Sequence, residues 1–88
     1  MTEEAVETMA LIGKALASDQ WTATEKELIK WQFGLLGGFR TALWNDLARA
    51  DDTNLAQMAL AFPDEVAALS AWRTGDLARR MRVAGVPV

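Results

Sequence analysis

The chain has 88 residues, a hydrophobic fraction of 51% and a formal net charge of −3. That is the length of one domain, able to bury roughly 60–65% of its unfolded surface, and it is too apolar for a disordered segment. His, Cys and Tyr are all absent, which excludes disulfide staples, thiolate nucleophiles, the usual zinc ligands and the commonest general base.

Sustained period-two alternation and Asn-Gly or Asp-Gly hairpin turns are missing, so no strand is expected. Helical spacing is frequent instead. A first helix is expected over residues 3–17, capped by Thr2, with Glu3, Glu4 and Glu7 at its positive end. Ala5, Met9, Ile12 and Leu16 line one face and form its candidate core stripe. Ser18, Asp19 and Gln20 end it. A second helix starts near Thr22 or Thr24, since Thr22-x-x-Glu25 and Thr24-x-x-Glu27 both match the capping box. Trp21 can staple that start.

The apolar pattern then runs on to about Ala50, which is long for a globular helix. Gly37 and Gly38 interrupt it at a cost of roughly 2 kcal/mol against alanine, so a kink or a division into two helices is expected there. Asp51, Asp52 and Thr53 offer caps for a helix over about 53–61. Pro63 suits the first position of a helix reaching about Trp72, with Asp64 and Glu65 in its first turn. A last helix over 76–83 presents Leu77, Met81 and Ala84 before Gly85 and Pro87 end it. The expected fold is therefore all-α: one domain over residues 1–88, a compact bundle of five or six helices with a kinked or broken central helix.

That central segment carries two apolar stripes if it is taken as one helix. Leu35, Phe39, Ala42 and Leu43 fall within about 60° of Leu28 and form an ordinary core stripe. Phe33, Gly37 and Trp44 gather on the opposite side, flanked by Ile29 and Arg40. A helix apolar all round is either wrapped by its neighbours or uses one stripe as a contact surface. Phe33, Gly37, Arg40 and Trp44 are the candidate partner-binding patch, tryptophan being enriched among interface hot spots. On this view Trp44→Ala weakens binding and leaves helicity near that of the wild type. A third stripe, Gly34, Gly38 and Ala42, lacks bulk and would admit another helix closely, in the core or between two copies. Asp46 lands on the core stripe of a continuous helix, so either the helix breaks or Asp46 pairs with Arg49 or Arg73.

Charge is distributed unevenly. Residues 1–72 hold five basic and eleven acidic side chains, whereas residues 73–88 hold four arginines and one aspartate. Arg73, Arg79, Arg80 and Arg82 are thus the candidate anion or nucleic-acid contacts, against the simpler view that cations favour the end of a C-terminal helix. No P-loop, dinucleotide fingerprint, EF-hand or G-x-S-x-G spacing occurs. Asp51-Asp52 and Glu3-Glu4 sit where helix starts favour acids. The expectation is a chain that is not an enzyme, with no catalytic residue, cofactor or metal. The acidic start is unlike a signal peptide and no apolar run is long enough for a membrane span, which points to a soluble cytoplasmic protein.

Residues 37–44 (GGFRTALW), 50–55 (ADDTNL) and 62–66 (FPDEV) resemble small helical proteins encoded by bacteriophages and prophages. The resemblance covers about half the chain and implies a context rather than an activity: expression in a bacterial cytoplasm, often to bind and redirect a host protein or to inhibit a defence system. Three functions are therefore carried forward. The first is a protein-binding module, a modulator of a host or phage partner. The second is a nucleic-acid-binding accessory protein using the terminal arginines. The third is a self-assembling homodimeric protein.

Overall fold

Local chemistry sets most of the helix starts. In the computed structural model, which describes residues 2–88, the elements are α1 (Glu3–Ala17), α2 (Ala23–Gln32), α3 (Gly38–Arg49), α4 (Asp52–Ala61), α5 (Pro63–Arg73) and α6 (Asp76–Val83). No strand occurs among the described residues. The Thr2 hydroxyl accepts from the Ala5 N–H at 3.1 Å, and the Asp51 carboxylate accepts from the Asn54 N–H at 2.8 Å. Of the two capping-box candidates the chain uses Thr22: its hydroxyl accepts from the Glu25 N–H at 3.1 Å, and the Glu25 carboxylate accepts from the Thr22 N–H at 2.9 Å. Pro63 occupies the first turn of α5. Each of these devices satisfies a backbone donor that a helix start leaves orphaned, or removes it.

The long middle segment is two helices. The break is made by Gly34, four residues before the expected pair of glycines is complete. Gly34 takes φ +70°, its N–H donates to the Trp31 carbonyl at 3.2 Å, and the Leu35 N–H reaches back to the Lys30 carbonyl at 2.8 Å. This is a Schellman closure, in which a residue of left-handed conformation lets the chain satisfy its last carbonyls and turn away. Gly37 is then the cap residue of α3 and Gly38 its first helical residue. The two glycines should respond oppositely to alanine. Gly34→Ala forces a Cβ into the left-handed region and is expected to cost about 1 kcal/mol. Gly38→Ala meets no atom within 4 Å and is expected to stabilise by roughly 0.4–1 kcal/mol through the unfolded chain. Urea midpoints of the two variants check this; movement in the same direction would contradict the closure.

Helix α5 is the hub, packing against α2, α3, α4 and α6, while α1 packs chiefly against α2 and α4 chiefly against α5. Leu28 and Ile29 of α2, Trp44 and Leu47 of α3, Leu69 of α5 and Leu77 and Met81 of α6 are fully enclosed. Trp21 joins this core from the α1–α2 connection and Val86 from the C-terminal tail. Because α1 and α4 each lean on one main neighbour, the molecule is elongated, with extents of 44 × 26 × 20 Å. The consequence for α1 is specific. Its buried residues, Ile12 and Ala15, both belong to its second half, so the first half extends beyond the packed body.

The break also overturns the expected core stripe of the middle segment. Leu28 is enclosed as expected, but Phe39 is 78% exposed and Leu35 55% exposed, Ala42 is exposed and Leu43 half-buried. Angles carried through from α2 lose their meaning once residues 33–37 leave the helix. The inward face of α3 is instead Arg40, Leu43, Trp44 and Leu47, a run at helical spacing. Asp46 consequently lies on the outer side of a helix that continues to Arg49, and pairs with Arg49. No buried carboxylate arises there.

Candidate functional site

The sequence patch of Phe33, Gly37, Arg40 and Trp44 is not assembled as a surface. Gly37 is exposed and Phe33 half-buried against the core. Trp44 is 0% exposed and cannot meet a partner. Its indole stacks on that of Trp31, with centroids 5.7 Å apart and planes inclined by 21°. Each ring donates to the opposite helix: Trp44 Nε1 to Glu27 Oε1 at 2.8 Å, and Trp31 Nε1 to Asn45 Oδ1 at 3.0 Å. Two aromatic side chains thus close α2 on α3, with their polar tips satisfied as buried indoles require.

Arg40 is the second half of this clamp. Its guanidinium donates to Glu27 and, from Nη2, to Glu65 Oε2 at 2.8 Å, so it joins α2, α3 and α5. Burial by itself raises the Glu27 pKa, but hydrogen bonds from Arg40 and Trp44 and the charge of Arg40 outweigh it and hold the carboxyl below the usual glutamate range. The hydrogen bonds to Glu27 and Glu65 raise Arg40 in turn. Arg40 is therefore a structural cation, occupied within the fold. Glu27 escaped the sequence reading because Thr24-x-x-Glu27 offered it a capping role. Once Thr22 and Glu25 supply the cap, Glu27 is free to receive Trp44 and Arg40.

The small-residue stripe does not act as expected either. Gly34 lies in the turn outside α3, so it does not continue the α3 face that Gly38 and Ala42 share, and the three form no single helical stripe. An added Cβ at Gly34 or Gly38 would meet nothing within 4 Å, and no helix packs closely on them within the protomer.

The terminal arginines are also engaged. Arg79 Nη2 donates to Asp76 Oδ1 at 2.8 Å, and Arg80 reaches Asp76 Oδ2 at 3.2 Å and Glu25 Oε2 at 3.3 Å. The hydrogen bond from Arg79, then that from Arg80, holds Asp76 below the usual carboxylate range. Arg73 donates to the Ala48 carbonyl, and Arg82 Nε to the Val88 carbonyl at 2.9 Å. These contacts tie α6 to α2, α5 to α3, and the tail to α6. Arg79 and Arg80 share Asp76 while Arg73 and Arg82 are tied to separate carbonyls, which weakens the case for one anion-binding face.

What the fold does leave open is an apolar groove of about 650 Å³ beside α1. Ala5, Met9, Ile12 and Leu16 form its α1 wall, and Phe33 and Leu35 of the α2–α3 connection form the other. The α1 wall is the stripe expected to be core. It is covered at Ile12, but Met9 is 57% exposed at the open groove. Phe33 thus lines an apolar groove with different companions from those the sequence suggested. Val6 and Leu11 add exposed apolar surface on the same helix. A second depression, between α3 and α4, mixes apolar side chains such as Met58 and Phe62 with Asp46, Arg49 and Asp51, whose side chains are already paired or capping.

Among the described residues no cluster of three or more His, Cys, Asp or Glu side chains is placed to hold a metal ion, and no helix is long and apolar enough to cross a membrane. Comparison with known proteins adds no relative: no family model, curated protein or solved structure matches the chain.

Proposed function

We propose that the protein is a non-enzymatic protein-binding module and that the α1 groove receives an apolar segment of its partner. The observation that carries this is the uncovered half of an amphipathic helix: Met9 and Leu35 stand more than half exposed on facing walls of one concave apolar site. Contiguous exposed apolar surface of this kind marks interaction sites in soluble folds. A sequence without His, Cys or Tyr supports binding over catalysis. The resemblance of residues 37–44, 50–55 and 62–66 to small phage-encoded proteins favours a partner in a bacterial cytoplasm, either a host or a phage protein, whose surface this module would occlude or remodel.

Photo-crosslinking tests the proposal. A photoreactive side chain placed at Met9 or Leu35 should capture a protein from bacterial lysate that the same group at Leu60, 88% exposed and outside the groove lining, does not capture. Recovery of the same proteins from all three positions would remove the groove as the site.

A further inference from the structure

We infer that α1 is a hinged arm that opens as a unit from the other helices, and that Val86 of the C-terminal tail is the latch holding it down. Among the described residues, the side-chain hydrogen bonds and ion pairs that cross between helices join α2, α3, α5 and α6. Arg40 ties α3 to α2 and α5, the two indoles tie α2 to α3, Arg73 ties α5 to α3, and Arg80 ties α6 to α2. None of these contacts involves α1. Its attachment is apolar packing alone: α1 packs chiefly against α2, its buried residues are Ile12 and Ala15, and Leu16 is partly covered by the core. Helix α4 also encloses no side chain, but it is pinned at both ends by the short connections Ala50–Asp51 and Phe62.

The latch is built by the end of α6. Gly85 takes φ +92°, its N–H donates to the Arg82 carbonyl at 3.0 Å, and the Val86 N–H reaches back to the Met81 carbonyl at 2.9 Å. This left-handed closure turns the chain round and carries Val86 into the core. Val86, Trp21 and Ala15 border one small recess of about 190 Å³, so the tail meets the buried side of α1 there. Arg82 Nε donates to the Val88 carbonyl at 2.9 Å and fixes the tail to α6, so the latch stays in place when α1 lifts. The hinge is the stretch Ser18–Asp19–Gln20. Ser18 leaves the helix with an extended ψ of 141°, and Trp21, buried beside the Thr22–Glu25 capping box, anchors the far side. A 15-residue helix is marginal by itself in water, so α1 unwinds once it is lifted. Opening also removes one wall of the apolar groove, whether or not the groove receives a ligand.

Amide hydrogen exchange of the full isotopically labelled chain tests the arm and its latch. Protection at residues 11–17 should be about a hundredfold below that of the α5 amides. It should depend little on low urea, because a local opening exposes little surface. Arg40→Leu, at a residue whose ion pairs join α2, α3 and α5, should lower α3 and α5 protection about tenfold and leave α1 unchanged. Arg40→Lys, the milder change, should give the same split on a smaller scale. Val86→Ala should raise α1 exchange about tenfold through the lost packing, whereas Val83→Ala, at an exposed position of α6, should not. If α1 and α5 share one level of protection and fall together in the Arg40 variants, the chain opens as a single unit and the hinged arm is refuted. If α1 opens separately but Val86→Ala leaves its exchange unaltered, Val86 is not the latch. Unprotected amides throughout α1 of the wild type would show that nothing holds it down.

Discussion

Trp44→Ala is expected to destabilise the protein by about 3–5 kcal/mol, the usual cost of removing a buried aromatic side chain. A chain of this length holds only about 4–13 kcal/mol in total, so the variant should lose much of its helicity near physiological temperature. The midpoint should fall by roughly 15–30 °C. Three effects act together. A cavity opens in a fully enclosed site, the stack with Trp31 is lost, and Glu27 loses the indole donor held at 2.8 Å. Trp44→Phe separates them in part, because it keeps an aromatic ring in the site and removes the donor together with the smaller ring of the indole. It should cost far less, about 1–2 kcal/mol. Thermal circular dichroism of both variants is the measurement. A well-folded Trp44→Ala protein with near-native helicity would revive the idea of Trp44 as a surface contact; unfolding assigns it to the core.

Arg40→Leu should be the second most damaging change, at about 1–3 kcal/mol. The side chains of its two acceptors, Glu27 and Glu65, are 23% and 15% exposed. They are too enclosed to be indifferent to losing their cation, and too wet to incur the full penalty of a buried charge. Arg40→Lys should fall between the variant and the wild type, since an ammonium cannot span both carboxylates as a planar guanidinium does. The urea midpoint should drop with little change in slope. An unaltered midpoint would mean that the bridge contributes nothing.

The same variant has a pH signature. In the wild type the folded Glu27 pKa is depressed. Its contribution is therefore complete above the ordinary glutamate range, and is lost as pH falls through that range and then through the lowered folded value. Without Arg40 the main opposition to burial is gone and the folded pKa moves up. Acid unfolding of Arg40→Leu should accordingly begin at higher pH than that of the wild type. An acid transition at the same pH would show that Arg40 is not what holds Glu27 ionised.

How much of this was visible beforehand depends on the range of the force involved. The limits of α1 and α6 follow from Thr2, Ser18, Gly75 and Gly85, because caps and turn residues act within one helical turn. Pro63 and Asp51 likewise mark α5 and α4 to within a residue. Gly34 has the spacing of a small packing residue, and nothing in that spacing shows the left-handed φ that stops α2. The sequence stripe containing Leu35 and Phe39 failed downstream of that point, since a helical phase cannot be carried across a break. A shift of a few residues turned Trp44 and Arg40 inward and Phe39 out.

The amino-acid order by itself determined that this chain is helical, where most of its helices begin and end outside the middle segment, and that the middle segment must be interrupted, because propensity, capping and glycine punctuation are local. Only the tertiary structure decided that Trp44 is core, that Arg40 bridges Glu27 to Glu65, and that the first half of α1 is only partly covered. Those outcomes depend on which faces meet across 13 to 25 residues of sequence, and on where the packed body ends. No local pattern in Ala5, Met9, Ile12 and Leu16 distinguishes the covered half of a stripe from the open one.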